Sequence, residues 1–163
     1  VKPNDQGSSL GVTVVNEIKA FENAKAIAFK YSNEILAEKY IEGRELSVSV
    51  IGGDVYPIVE IIPLHKMYDY NCKYSKGMST YVCPANLSKD LKNEIKTLAK
   101  LIFDIHKCRS YGRIDFRLSP NNEAWFLEIN TLPGMTSTSL VPIAFEAEGG
   151  TFEELIKKII EED

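Results

Sequence analysis

The chain has 163 residues, 44% of them apolar and 26% charged, with a formal net charge of −4. That length holds one ordinary domain or two small lobes sharing a cleft, and the composition is that of a folded globular chain, not a disordered tail. The acidic balance gives no nucleic-acid footprint, and no apolar run reaches the ~20 residues of a membrane span.

Val1-Lys2-Pro3 reads as the end of a strand. With no initiator Met and no signal-like segment, it suggests a chain that begins inside a larger protein. A polar loop follows from Asn4 to Ser9, then a short strand over Gly11–Val15. Asn16 is the expected N-cap of a helix reaching about Tyr31, with Ile18, Phe21 and Phe29 marking its buried face. Ile35–Lys39 reads as a strand. Glu45–Ile51 alternates as a half-buried strand does, and Gly52-Gly53-Asp54 turns the chain into Val55–Ile62. Residues 63–85 have no period and hold four tyrosines, Tyr68, Tyr70, Tyr74 and Tyr81. A loop of that length in a compact domain is usually functional or disordered, and so many aromatics argue against disorder.

Ser88 caps a strong helix whose apolar face is Leu91, Ile95, Leu98, Ile102 and Ile105. Strands over Tyr111–Ser119 and Ala124–Asn130 flank the turn Pro120-Asn121-Asn122-Glu123. A short helix opens at Ser139 or Leu140 and ends near Gly149-Gly150, and Thr151 with Glu154 forms a capping box for the last helix. Hairpins with helices segregated among them define an α+β chain. Cys72, Cys83 and Cys108 include no CxxC pair, and His65 and His106 are the only histidines, so reduced thiols are expected in place of a zinc site.

The sharpest chemical signal is the 111–130 hairpin. Side chains alternate across a strand, so Arg113, Asp115 and Arg117 share one face, and Glu128 and Asn130 share another. With a four-residue turn at 120–123, Ser119 faces Ala124, Asp115 faces Glu128 and Arg113 faces Asn130. Trp125, Leu127 and Ile129 then point the other way. Two facing acids repel unless neutralised, and Asp, Glu and an Asn carbonyl are hard oxygen donors suited to Mg²⁺. Spacing alone leaves a solvated polar face with arginine ion pairs equally open. Gly7-Ser8-Ser9-Leu10-Gly11 either cradles phosphate through its N–H groups or is a plain surface loop. It is neither a Walker A loop nor a GxGxxG fingerprint. Lys2, Lys73, Glu38 and Glu45, taken singly, read as surface charges.

The order of these pieces resembles the D-alanine–D-alanine ligases. The resemblance rests on Lys2-Pro3, Gly7-Ser8-Ser9, Glu38-Lys39-Tyr40-Ile41, Gly43-Arg44-Glu45-Leu46-Ser47-Val48, Tyr68-Asp69-Tyr70, Lys73-Tyr74 and Cys83-Pro84-Ala85. Gly112-Arg113-Ile114-Asp115-Phe116, the run Leu127-Glu128-Ile129-Asn130-Thr131-Leu132-Pro133-Gly134-Met135-Thr136, and Ser139-Leu140-Val141-Pro142 complete it. It implies an ATP-grasp fold of antiparallel sheets with flanking helices. One lobe would cover residues 1–62 and a second 63–163, with the 63–85 loop as a lid and ATP between them.

The resemblance also implies roles. Lys2 would contact the α- and β-phosphates, and Lys73 would reach the phosphates from the loop. Glu38, with the backbone of Lys39 and Ile41, would be the adenine hinge, and Glu45 the ribose ligand. Asp115, Glu128 and Asn130 would hold two Mg²⁺ ions, with Mn²⁺ as a substitute. Arg113 and the Gly134 N–H would stabilise an oxyanion. Ser139 and Leu140 would bind the second substrate's carboxylate, and Ser8 and Tyr74 would close the site. The implied reaction joins two D-alanines through an acyl phosphate for peptidoglycan precursors. The alternatives are a D-lactate or D-serine ligase and a non-catalytic nucleotide-binding module. Tyr74 favours an amine nucleophile. Met67 stands where the family usually has an aromatic residue, and Cys72 where it has a small one. The family's N-terminal domain has no counterpart here, so the chain alone is expected to be inactive and monomeric, within a cytoplasmic protein that is a homodimer when complete.

Overall fold

The computed structural model describes residues 1–63 and 79–161. The expectations for Met67, Cys72, Lys73 and Tyr74 fall outside these residues. The chain divides into two compact units, Val1–Tyr40 with Pro63–Thr80, and Ile41–Ile62 with Tyr81–Asp163.

In the first unit, β1 (Lys2–Pro3) pairs antiparallel with β2 (Ile35–Leu36), Lys2 opposite Leu36. The expected strand at Gly11–Val15 is absent from the described structure. Val1 and Thr13 exchange a pair of hydrogen bonds, 2.8 and 2.9 Å, but the pairing stops there. Gly11 has φ +73°, which breaks the extended run, and a Cβ on it would sit 2.9 Å from the Pro3 ring. The expected helix after Asn16 is shorter. A 3-10 turn covers Ile18–Ala20, with Glu17 as its N-cap, and α1 runs Phe21–Ala28. Its buried residues are Ala24 and Ala28, whereas Ile18 and Phe29 are exposed. The alanines permit close approach to β1, and the larger side chains turn outward. The strand read at Ile35–Lys39 reduces to the two residues of β2.

The second unit is built on an antiparallel sheet. Its strands are β3 (Arg44–Ile51), β4 (Asp54–Val55), β5 (Val59–Pro63), β6 (Ser79–Val82), β7 (Tyr111–Leu118) and β8 (Ala124–Asn130). The order is β6-β5-β3-β7-β8, with β4 paired to β3. Gly52 and Gly53 have φ +58° and +81° between Ile51 and Asp54, which are paired. Two successive positive φ angles are what a tight two-residue hairpin needs.

β3 is central, with β5 on one side and β7 on the other. It is buried from Leu46 to Ile51 instead of half-buried. Leu46, Val48 and Val50 pack with Ile114, Phe116 and Leu118 of β7 against α2 (Lys89–Ile105). Ser88 caps α2, its Oγ accepting from Leu91 N at 3.3 Å. The face of α2 that is fully buried is Leu91, Ile95, Ala99 and Phe103, a straight i, i+4 row. Leu98 and Ile102 flank it, and Ile105, read as buried, is exposed. Gly112 makes room for this row, because a Cβ there would lie 3.3 Å from the Phe103 ring. Each fully buried Leu, Ile, Val or Phe contributes about 1.5–3 kcal/mol.

The opposite face of β3 is met by α3 (Leu140–Glu146), which in turn packs on α4 (Phe152–Glu161). Tyr56 stacks on Phe145 at 5.1 Å. The capping box read at Thr151 and Glu154 is present, with Thr151 N to Glu154 Oε2 at 2.8 Å and Glu154 N to Thr151 Oγ1 at 3.3 Å. Among the described residues, no helix is long and apolar enough to cross a membrane.

Candidate functional site

The face of the sheet away from α2 carries a three-strand polar grid. β3 supplies Glu45, Ser47 and Ser49, which stand opposite Arg117, Asp115 and Arg113 of β7. Across the next ladder, Arg117, Asp115 and Arg113 stand opposite Trp125, Glu128 and Asn130 of β8. The expected pairings of Asp115 with Glu128 and Arg113 with Asn130 are therefore present.

The path to that register differs from the expectation. Leu118 pairs with Ala124 and Phe116 with Phe126, one residue off the expected sum. The turn is wider, closed by Ser119 N to Glu123 O at 3.0 Å and Asn122 N to Ser119 O at 2.9 Å, with Asn122 at φ +63°. An irregularity between Asp115 and Phe116 then restores the register. Leu127 is the extra residue on β8, as in a β-bulge. In consequence Phe126, not Trp125, faces the core side, where its ring meets Phe116 edge-on at 6.3 Å. Trp125 comes to the polar face opposite Arg117.

Asp115 is 8% exposed and its partners are explicit. Oδ1 accepts from Ser47 Oγ at 2.8 Å and from Arg113 Nε at 3.0 Å, and Oδ2 accepts from Arg113 Nη2 at 2.8 Å. A buried carboxylate is tolerable because it is paired and hydrogen-bonded in this way. Glu128, opposite it, is exposed. Asn130 Oδ1 accepts from Leu132 N at 3.0 Å, which fixes the side-chain carbonyl and retains one lone pair. Two carboxylates and an amide carbonyl on one face are a donor set for a hard divalent cation. Among the described residues no group of three or more His, Cys, Asp or Glu side chains could hold a metal ion, so the set here needs the Asn130 carbonyl as its third donor.

Arg117 ties down another part of the same unit. Its Nε donates to the Ile41 carbonyl at 3.1 Å, and its Nη1 lies 3.4 Å from Glu45 Oε2. Further along, a Cβ on Gly134 would lie 3.0 Å from Ser139 Oγ. That hydroxyl accepts from Thr136 N at 3.0 Å, so Gly134, Thr136 and Ser139 form one closed loop before α3. The Leu140 side chain is buried, 7% exposed.

In the first unit, Lys2 Nζ and Glu38 Oε1 form an ion pair at 2.8 Å, which brings together two of the residues read as nucleotide ligands. Ser8 and Ser9 adopt left-handed φ angles of +54° and +58° in the small-residue loop. Ser47, Ser49, Arg117 and Trp125 are the residues of the grid to which sequence reading gave no site role. Alternation along β3 marked Ser47, since a serine between Leu46 and Val48 in a central strand needs a polar partner. Nothing local marked Trp125, whose face depends on the bulge.

The architecture, two units with an antiparallel sheet carrying a carboxylate-lined face, is that of an ATP-grasp ligase, as its structural relatives are. Residues 1–161 match the family described as D-ala D-ala ligase C-terminus, and the chain belongs to that family. A curated D-alanine–D-alanine ligase from Methylacidiphilum infernorum is 45% identical over 161 residues, 99% of this chain and 53% of that protein. A crystal structure of D-alanine–D-alanine ligase from Bacillus anthracis superposes with a TM-score of 0.85 at 32% identity, covering 99% of this chain and 52% of that one. The same enzyme complexed with ATP gives 0.78 at 27% identity, covering 99% and 49%. A D-Ala:D-Ser ligase from Enterococcus faecalis gives 0.85 at 30% identity, covering 98% and 48%. The chain spans about half the length of the curated relatives it matches.

Proposed function

We propose that this chain supplies the nucleotide-binding and catalytic half of an ATP-dependent D-alanine–D-alanine ligase, active only with the remainder of a complete ligase and inactive alone. The observation that carries the reading is the facing pair Asp115 and Glu128, with Asn130 two residues on, where Arg113 offsets Asp115 and a bound cation would relieve the exposed Glu128. These three residues would hold two Mg²⁺ ions, or Mn²⁺, which when bound neutralise phosphate charge.

The chain's own residues account for the remaining demands. Lys2 and Lys73 carry positive charge for the phosphates. Glu38, Lys39 and Ile41 read the adenine, and Glu45 accepts from the ribose hydroxyls. The carboxylate of one D-alanine attacks the γ-phosphorus, the bond to the β,γ-bridging oxygen breaks, and ADP leaves to give an acyl phosphate. The amine of a second D-alanine then displaces phosphate. Arg113 and the Gly134 N–H would act as oxyanion donors, which act best when fixed before the charge develops. In that role Arg113, held by Asp115, is pre-aligned. Ser139 and the Leu140 backbone take the second carboxylate, and Ser8 with Tyr74 closes the site against water, which would hydrolyse the acyl phosphate. The product would serve peptidoglycan synthesis in the cytoplasm, and the complete enzyme would be a homodimer.

The D-Ala:D-Ser relative fits as well as the D-Ala-D-Ala relative, so the fold does not select the second substrate. Tyr74 favours an amine over a hydroxy acid. The test is MgATP binding and product analysis with the full-length protein, offered D-alanine alone or with D-serine or D-lactate. ATP-dependent D-alanyl-D-alanine formation that disappears in Asp115→Ala/Glu128→Ala supports the reading. MgATP binding untouched by that double substitution would overturn it.

A further inference from the structure

Arg117 has no part in the reading above, yet it makes two of the most specific contacts on the polar face. Its side chain is 18% exposed. Nε donates to the Ile41 carbonyl at 3.1 Å, and Nη1 reaches Glu45 Oε2 at 3.4 Å. It also stands directly opposite Glu45 in the β3–β7 ladder, so the ion pair is set by strand register and not by a flexible side chain alone.

The segment between its two partners is pinned as well. Gly43 has φ +140°, and a Cβ there would lie 1.9 Å from the carbonyl oxygen of Leu118, the residue after Arg117. Residues 41–45 therefore meet the end of β7 twice, once through a backbone contact only glycine allows and once through a guanidinium. A planar guanidinium presents several donors in fixed directions, whereas a lysine ammonium is a single point charge on a flexible stem.

From these contacts we infer that Arg117 is a positioning residue for the nucleoside, setting the separation between the hinge peptide at Ile41 and the carboxylate of Glu45. The inference rests on the ligase reading, in which Ile41 meets the adenine and Glu45 the ribose. A nucleotide must engage both at once, so a segment free to drift would lose one contact on making the other. In that reading Arg117 has no role at the phosphates or the amino acids, and its effect is confined to the nucleoside.

The experiment uses the full-length protein and three measurements on Arg117→Met and Arg117→Lys. For Arg117→Met, KM for ATP rises about tenfold, the size expected when one charged hydrogen bond is lost. Meanwhile kcat changes less than about twofold, since the chemistry is untouched once ATP is bound. Inhibition by inorganic tripolyphosphate, which has no nucleoside, keeps its wild-type Ki. Arg117→Lys recovers only part of the ATP affinity. A KM for ATP within twofold of wild type in Arg117→Met overturns the inference, and so does an equal rise in the tripolyphosphate Ki, which would mean general distortion. Asp115→Ala/Glu128→Ala run in parallel separates this from the ligase reading: full turnover in that variant sinks the reading itself, whatever Arg117 does.

Discussion

Asp115 and Glu128 stand directly opposite each other on β7 and β8, and they do so across a bulge that gives β8 one residue more than β7. Like charges in that position destabilise a ladder. Asp115 is offset by Arg113, but Glu128 is exposed and open to a further positive charge. If that charge is a cation bound with ATP, then Asp115→Asn and Glu128→Gln each lower ligase turnover by about 100-fold or more, as expected for loss of a metal-held charge. Without metal, Glu128→Gln removes a repulsion, so its denaturant midpoint should be no lower than that of wild type. A Glu128→Gln protein with wild-type kcat and MgATP affinity contradicts the assignment.

Ser47 is 1% exposed and gives its hydroxyl proton to Asp115 Oδ1 at 2.8 Å. A hydrogen bond to a buried carboxylate is worth about 1.5–3 kcal/mol. Ser47→Ala leaves that oxygen with Arg113 Nε, so stability in urea falls by about that amount. Mg²⁺ affinity falls as well, by about 10–100-fold, the usual effect of removing a residue that orients a metal ligand. Equilibrium unfolding and a metal titration of the full-length protein read the two effects separately.

How much of this was legible in the sequence depends on whether an element's cause is local. The caps at Ser88 and Thr151 were readable because the hydrogen bonds that define them lie within a few residues. So was the pairing of Asp115 with Glu128, although for an incomplete reason: the turn was read as four residues and the bulge was not read at all. The two errors cancelled, since a wider turn shifts the register one way and the extra Leu127 shifts it back. Trp125 was misplaced because its face lies between those two events. The burial of both faces of β3 was missed because alternation in sequence reports polarity, and Ser47 and Ser49 are polar but covered. The exposure of Ile18, Phe29 and Ile105 shows the same limit from the other side: apolar type and helical spacing do not say which neighbours arrive.

Gly43 is fixed by tertiary contact. Its φ of +140° lies where a side chain is strained, and an added Cβ would overlap the Leu118 carbonyl oxygen at 1.9 Å. Backbone on both sides of that contact has to move, so Gly43→Ala costs about 3 kcal/mol or more. Gly7 provides the contrast, with nothing within 4 Å of an added Cβ. Gly7→Ala stays within about 0.5 kcal/mol of wild type. Urea midpoints for the two variants that prove equal would remove Gly43 from the list of required glycines.

The Thr151–Glu154 box makes a pH-dependent contribution whose sign can be worked out. The Glu154 carboxyl lies below its usual range, first because it accepts the Thr151 backbone N–H and then because it accepts the Thr151 hydroxyl. A depressed carboxyl stabilises the folded state above its unfolded pKa, and that contribution is lost as pH falls through the folded value. Glu154→Gln keeps an acceptor at the same place without the charge. Wild type should therefore melt above Glu154→Gln at pH 7, and the gap should close as pH drops below the ordinary carboxylate range. Neighbouring Lys157 also draws the carboxyl down, but as the smallest cause, so added salt should narrow the gap at pH 7 only slightly. Melting curves by circular dichroism at pH 7 and in acid, each at low and high salt, decide it. A gap that persists unchanged in acid would mean the carboxyl's charge has no part in the cap.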